Sequence, residues 1–231
     1  MDIGKAFGFV TKDETWITKV LIGGLVTIIP LIGSLVVSGY SLRVAQNVAR
    51  GSERPLPEWN EFGDFLVRGF LAAVIQLVYL LPALILYFVF IALTIGAGAM
   101  TADSDGQGGA GALIGLCLLP LLLIVALACG AAALCAIARY LATDEFGQAF
   151  RFAEVFASLR ANLGNIVMLL VTAIVAGLVG GLGVIACGVG VLFTAFYAQL
   201  VIGHALGQIL PLLSPARDIG GPTGYTPPPS Y

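Results

Sequence analysis

Long uncharged runs separated by short polar stretches set the pattern of this chain. Between Lys19 and Arg43 lie 23 residues without charge, and residues 69–102, 106–138 and 161–216 likewise hold no Asp, Glu, Lys or Arg. A helix of ~20 apolar residues crosses a bilayer. The later runs therefore predict spans at about 69–100, 112–138, 163–186 and 190–213, the last pair turning in the glycine-rich stretch Gly177 to Gly190. The first run differs because Pro30 divides it into limbs of 10 and 12 residues. As one helix it would cover about 34 Å and cross once. Pro30 and Gly33 instead favour a turn at Pro30-Leu31-Ile32-Gly33. Residues 16–50 then form a re-entrant segment or a two-helix hairpin, with snorkelling Lys19 and Arg43 lengthening its limbs.

The polar stretches carry their own periodicity. Residues 1–15 read as a short amphipathic helix on the membrane surface, with Phe7, Phe9 and Val10 dipping inward and Lys5, Lys12 and Asp13 in water. In residues 51–68, Gly51 stops a helix and Pro55 and Pro57 hold the chain extended. Trp59, Phe62, Phe65 and Leu66 then recur at helical spacing, predicting a second interfacial helix. Residues 143–160 read as a third, capped by Thr143, with Phe146, Ala149, Phe150, Ala153, Phe156 and Leu159 as its apolar stripe. Residues 216–231, rich in Pro and Gly, read as a disordered tail. The tail ends Pro228-Pro229-Ser230-Tyr231, a PPxY sequence that reads here as low complexity rather than a WW-domain ligand.

Composition turns these runs into a fold class. The chain is 59% hydrophobic and only 10% charged, with mean hydropathy +1.01, against about 25% charged residues in soluble domains. It is therefore an all-α, polytopic integral membrane helical bundle, residues 1–215, with interfacial amphipathic helices. Thirty glycines suit close helix approach in lipid. No cleavable signal peptide is expected, because residues 1–19 hold six charges and no apolar core. The positive-inside rule fixes orientation. If residues 16–50 enter and leave on one face, all 11 Lys and Arg share that face, and the other holds Asp103, Asp105 and no cation. Both termini are then cytoplasmic and the protein sits in the cell membrane.

The chain also reads as partly duplicated. Gly4-Lys5-Ala6-Phe7-Gly8-Phe9 matches Gly147-Gln148-Ala149-Phe150-Arg151-Phe152 as GxAFxF, each ahead of two apolar segments. Between those segments, Gly23-Gly24 aligns with Gly180-Gly181, Gly33 with Gly190, Tyr40 with Tyr197 and Val44 with Val201. Both copies begin on the same face, which makes this a parallel repeat rather than an inverted one.

One series of residues has a family look. Trp16 and Lys19, Gly23-Gly24, Pro30, Gly39-Tyr40 and Arg43 are followed by Gly51, Leu56-Pro57 with Trp59, Phe62, Arg68-Gly69 and Tyr79-Leu80-Leu81-Pro82. In these the chain resembles an uncharacterised family of prokaryotic multi-span membrane proteins, the domain of unknown function DUF4013. The resemblance is most specific over residues 1–82 and looser to about 210. It implies a helical integral membrane protein and carries no activity across.

Candidate chemistry is sparse. There is no HExxH, GxSxG or P-loop sequence and no carboxylate pair within a span, so the chain reads as not an enzyme and as needing no cofactor or metal. Cys117, Cys129, Cys135 and Cys187 lie in apolar runs without CxxC spacing and read as packing residues. His204, the sole histidine, is a polar residue within the last span. It reads either as a proton-sensing or ligand-contacting group or as a neutral imidazole bonded between helices. Arg43, Gln46, Asn47 and Arg50 share a helical face, and with Trp59 form a candidate contact for anionic lipid headgroups or a protein partner; ordinary positive-inside anchoring is the plainer reading. The expected partners are the bilayer, anionic lipids and a membrane protein or second copy, not nucleic acid. The functional expectation is a scaffold, assembly factor or accessory subunit of the cell envelope. The alternative is a small transporter, channel or lipid-handling protein, which the helix break at Pro30 would suit.

Overall fold

The computed structural model describes residues 2–100, 109–185 and 189–213. Among them the chain is helical, with no strand. Its α-helices are α1 (Ile3–Gly8), α2 (Trp16–Thr27), α3 (Ile32–Ala49), α4 (Phe62–Met100), α5 (Gly109–Thr143), α6 (Phe152–Ala161), α7 (Leu163–Gly181) and α8 (Gly190–Leu213). Four helical stretches are long and apolar enough to cross a membrane: Trp59–Ala99, Gly111–Thr143, Leu163–Ile185 and Gly190–Leu213. The protein is a membrane helical bundle. The chain up to Val74 and from Cys135 onward forms one compact unit, and Ile75–Leu134 a second. Asp103, Asp105, Cys187, Arg217 and the tail with its PPxY sequence lie outside the described residues.

In the first unit, α3 packs between α4 and α8, and small residues bring these neighbours in. On one side a Cβ at Gly39 would overlap the Phe65 carbonyl, and one at Gly69 the Leu35 carbonyl, so α3 and α4 meet backbone to backbone. On another side Gly203 and Gly207 of α8 fit against Ser41 and Ala45 of α3. Spacing of four residues puts each pair on one helical face. The Ser41 hydroxyl donates to the Gln199 carbonyl at 2.7 Å across that contact. Around it a core forms from Phe9, Val36, Tyr40, Val44, Leu56, Phe65, Phe196 and Leu200. The α2–α3 pair turns at Ile28–Leu31, next to Pro30, and Gly33 seats against the Val26 carbonyl. The second hairpin, α7–α8, is tied by the Thr194 hydroxyl donating to the Gly180 carbonyl at 2.6 Å.

Three polar stretches differ from their sequence reading. Residues 1–15 do not lie out on a surface as one helix. α1 packs on α8 and a 3-10 turn at Val10–Lys12 on α2, with Ala6, Phe9 and Val10 buried. The Tyr197 hydroxyl donates to the Phe7 carbonyl at 2.6 Å, and Gln208 exchanges two hydrogen bonds with the Asp2 backbone. The apolar face chosen for an interface found a protein groove instead. Residues 51–68 contain no separate helix: Trp59–Glu61 is a 3-10 turn that leads into α4, which continues unbroken from Phe62. No helix breaker separates Phe62 from the apolar run, so the two join. Residues 143–160 break at Asp144–Arg151. Thr143 closes α5, its hydroxyl bonded to the Arg139 carbonyl, and Asp144 takes a positive φ of 53°. A 3-10 turn (Phe146–Phe150) precedes α6. Ala149 and Val155 are buried while Phe156 is exposed, so the buried stripe is not the expected one.

In the second unit, α4 and α5 run side by side, with Gly111 fitted beneath Thr94 and Gly98. Pro82 and Pro120 lie inside the helices, as membrane helices tolerate. Thr94 returns its hydroxyl to the Phe90 and Ile91 carbonyls.

The α3–α4 contact makes the first prediction. Gly39→Val or Gly69→Val should destabilise the protein by about 1–3 kcal/mol or more through overpacking. Gly63→Ala, where an added Cβ meets open space, should stay within about 0.5 kcal/mol of the native chain. Thermal unfolding in detergent reads both.

Candidate functional site

The polar groups of the first unit gather into nodes that tie distant parts of the chain together. The first is built on Lys19, one turn into α2. Its ammonium lies 2.9 Å from Asp13 Oδ2 and 2.9 Å from Glu58 Oε1, and donates to the Leu56 carbonyl at 3.1 Å. Lys19 is 4% exposed and Asp13 6%. A buried charge is tolerated only when paired and hydrogen-bonded. Asp13 meets that condition twice over, since its Oδ1 also accepts from the Thr15 amide (2.8 Å) and hydroxyl (2.7 Å). Burial works to raise the Asp13 pKa; the hydrogen bonds from Thr15 and Lys19 outweigh it and hold the carboxyl below the ordinary 3.8. The expectation that Asp13 stays in water is corrected: it is the counter-ion of a buried lysine.

Aromatic rings close the node. The Trp59 indole donates to the Lys19 carbonyl at 3.1 Å and stacks on Tyr40, ring centres 4.5 Å apart. Tyr40 donates to the Pro57 carbonyl at 2.8 Å. Phe65 and Phe196 pack edge-on or tilted beside them. Trp59 faces inward, half-buried, rather than standing out as an anchor.

A second node lies at the far end of α3. Gln46, 2% exposed, donates to the Leu141 carbonyl at 2.8 Å and to Asp144 at 3.3 Å. Its carbonyl oxygen accepts from Arg68 at 3.2 Å and Arg43 at 3.4 Å. Arg68 also pairs with Asp64 at 2.7 Å and Asp144 at 2.8 Å, and Arg43 reaches Glu61 at 3.5 Å. Asp144 takes the left-handed backbone conformation, which Asp tolerates better than most residues, and this carries its carboxylate to Arg68. Asn47 donates to the Pro55 carbonyl at 3.0 Å. Of the helical face proposed as a headgroup or partner contact, Gln46 and Asn47 are thus turned to internal bonds, Arg43 is mostly covered, and Arg50 remains exposed at the end of α3.

A third node pairs the buried Arg139 of α5 with Glu154 of α6, which also takes Arg151 at 3.1 Å. His204 of α8 is buried, stacks on Phe9 with ring centres 4.3 Å apart, and lies 3.1 Å from the Gln208 side-chain nitrogen. It therefore sits between α8 and the N-terminal segment. No cluster of three or more His, Cys, Asp or Glu able to hold a metal occurs among the described residues. Chemically, the nodes are ties: Lys19, Arg43, Arg68 and Arg139 each meet a side-chain oxygen from another stretch of chain.

A family model described as "Protein of unknown function (DUF4013)" matches residues 22–189, well over half of the chain. The chain belongs to the DUF4013 family. No curated protein and no solved structure matches it. Within the DUF4013 match fall Glu58, Tyr40, Gln46, Arg68 and Asp144; Asp13 and Lys19 lie just before it. Sequence reasoning missed the partnerships of Asp13, Lys19 and Glu58. The signal present was a lone lysine beside an apolar run with acids on either flank.

The Asp13 pKa shift fixes a pH dependence. A depressed carboxyl contributes stability above its unfolded pKa and loses that contribution as pH falls through the folded value. The native protein should therefore lose thermal stability progressively as pH falls below about 4, and Asp13→Asn should remove that part of the acid limb. Unfolding midpoints across the acid range check this.

Proposed function

We propose that this DUF4013 protein is a non-enzymatic integral membrane protein that serves as a scaffold, assembly factor or accessory subunit of the cell envelope. The observation that carries the reading is the surface of the second unit. The most apolar stretch of α5 has none of its residues buried, and that of α4 about a tenth. Leu81, Ile85, Phe88, Leu116 and Ile124 stand exposed along it. A membrane helix pair that spends so little surface on its own fold has apolar area free for a partner helix. The buried charges of the first unit, Lys19, Asp13 and Arg139, are meanwhile occupied with internal ties, which suits a fixed part better than a moving one.

A lipid-handling role has one observation in its favour. An apolar crevice of about 90 Å³ opens between α4 and α5, lined by Leu86, Val89, Phe90, Leu93, Leu118 and Leu121 among others. It fits hydrocarbon and no polar solute.

The distribution of Lys and Arg supports both termini on the cytoplasmic face; a prokaryotic cell membrane rests on the family resemblance alone. Duplication is part of the same reading. Ala6 and Ala149, at matching places in GxAFxF, are both fully buried. Gln46 of α3 reaches the stretch before the second motif, and Gln208 of α8 the stretch before the first.

Photo-crosslinking groups placed at Phe88 and Leu116 in cells test the scaffold reading. The expected result is a discrete protein adduct of fixed mass at both positions and a mild-detergent complex larger than one chain. Lipid adducts alone, with a lone monomer in detergent, contradict it.

A further inference from the structure

The α2–α3 hairpin ends in an unusual turn. Ile28, Ile29, Pro30, Leu31 and Ile32 are all exposed, Leu31 at 81%. Leu31 has φ 61° and ψ −64°, and the Ile32 amide donates to the Pro30 carbonyl at 2.7 Å. That is a γ-turn with a positive-φ centre, the rare and strained kind, and a branched side chain occupies the position that glycine would fill at less cost. In water neither choice makes sense. An exposed loop is served by polar residues and can give its backbone to solvent.

The backbone bonding accounts for part of the choice: most amides of the turn are paired, while those of Leu31 and Ser34 have no backbone partner among the described residues. The Ile28 amide donates to Leu25, Ile29 to Val26, Ile32 to Pro30, Gly33 to Ile29 and Leu35 to Leu31. Pro30 brings no donor. The Thr27 and Ser34 hydroxyls, the side-chain polar groups nearest the turn, return to the Gly23 and Leu31 carbonyls. Where no water is present, an unpaired backbone group costs several kcal/mol, more than a strained residue. The γ-turn exchanges strain for one such pairing, the Ile32 amide on the Pro30 carbonyl, a trade that is worth most where water is absent.

Limb length agrees. From Lys19 to Thr27 the helix rises about 12 Å, and from Ile32 to Arg43 about 17 Å, against a hydrocarbon core of about 30 Å. The base is pinned by the Lys19–Asp13–Glu58 node and by the Arg43–Glu61 pair. The hairpin cannot cross without drawing these charges into the membrane. One side of α2 is taken by α8, where Gly23 and Gly24 seat on Phe196 and Phe193. Leu21, Leu25 and Ile28 face outward on the other.

We propose that α2–α3 is a re-entrant wedge: its turn, centred on Leu31, ends among the lipid acyl chains, and both limbs return to one membrane face. The proposal is independent of whether α4–α5 binds a partner.

The test uses the full chain with Cys117, Cys129, Cys135 and Cys187 replaced by alanine, reconstituted in phosphatidylcholine–phosphatidylglycerol vesicles. A nitroxide is attached at Leu31→Cys or, in a second variant, at Ile28→Cys; Glu53→Cys is the water-exposed control. Collision rates with oxygen and with a soluble nickel chelate are read by spin-label relaxation. The expected result at both turn positions is oxygen accessibility exceeding nickel accessibility, with the order reversed at Glu53. High nickel accessibility at Leu31 would place the turn in water and overturn the wedge. Low accessibility to both reagents would mean that protein, another copy or a partner, covers the turn, and would overturn it equally.

Discussion

The buried ammonium of Lys19 is the constraint on which the first unit depends. A lysine 4% exposed within a largely apolar helix is tolerable only with carboxylates delivered to it. Asp13 comes from the N-terminal segment and Glu58 from the loop before α4. Neither belongs to α2, so meeting the charge folds two polar stretches inward. The N-terminal segment is thereby brought along α8, where Phe9 stacks on His204. The loop is brought over Tyr40, where Trp59 stacks. Close approach of α3 to α4 and α8 through Gly39, Gly69, Gly203 and Gly207 leaves room for nothing larger, so the node and the glycine contacts hold the same arrangement from two directions.

This organisation divides the labour within the molecule. The first unit spends its polar groups on internal ties: Lys19 with Asp13, Arg68 with Asp144, Arg139 with Glu154. The second spends almost none, and its α4–α5 pair keeps most of its apolar surface open. A rigid, self-tied part joined in sequence to an apolar helix pair is what the scaffold reading draws on. The short α2–α3 hairpin adds a third kind of membrane contact, through an exposed turn made wholly of apolar residues.

The membrane class and the long helices were legible in the sequence because hydropathy over twenty residues is a local property. The break at Pro30 was legible for the same reason: proline and glycine act where they stand. What was not legible depended on partners far away in the chain. Asp13 looks like any surface aspartate until Lys19 is known to be buried, and Lys19 looked like a snorkelling anchor until Glu58 came over it from 39 residues on. Trp59 and Phe62 had helical spacing, but spacing could not say that the helix runs on into the span. Thr143 had the chemistry of a cap, and its hydroxyl does accept the Glu145 amide, but it also donates back to Arg139 and stands as the last residue of the preceding helix. Gln46 and Asn47 shared a face with Arg43 and Arg50, and only the positions of Leu141 and Pro55 turned them inward.

A double-mutant cycle at Lys19 and Asp13 tests the central claim most directly. Asp13→Ala and Lys19→Met are measured singly and together by unfolding in detergent, all in a Glu58→Gln background so that no second carboxylate meets Lys19. Removing one member of a buried pair costs about 3–5 kcal/mol because it strands the other charge. The account predicts a loss of that order for Asp13→Ala, a double-mutant loss well below the sum of the two single losses, and a coupling energy of about 1–3 kcal/mol. Losses that simply add, or an Asp13→Ala protein as stable as the native chain, would contradict it.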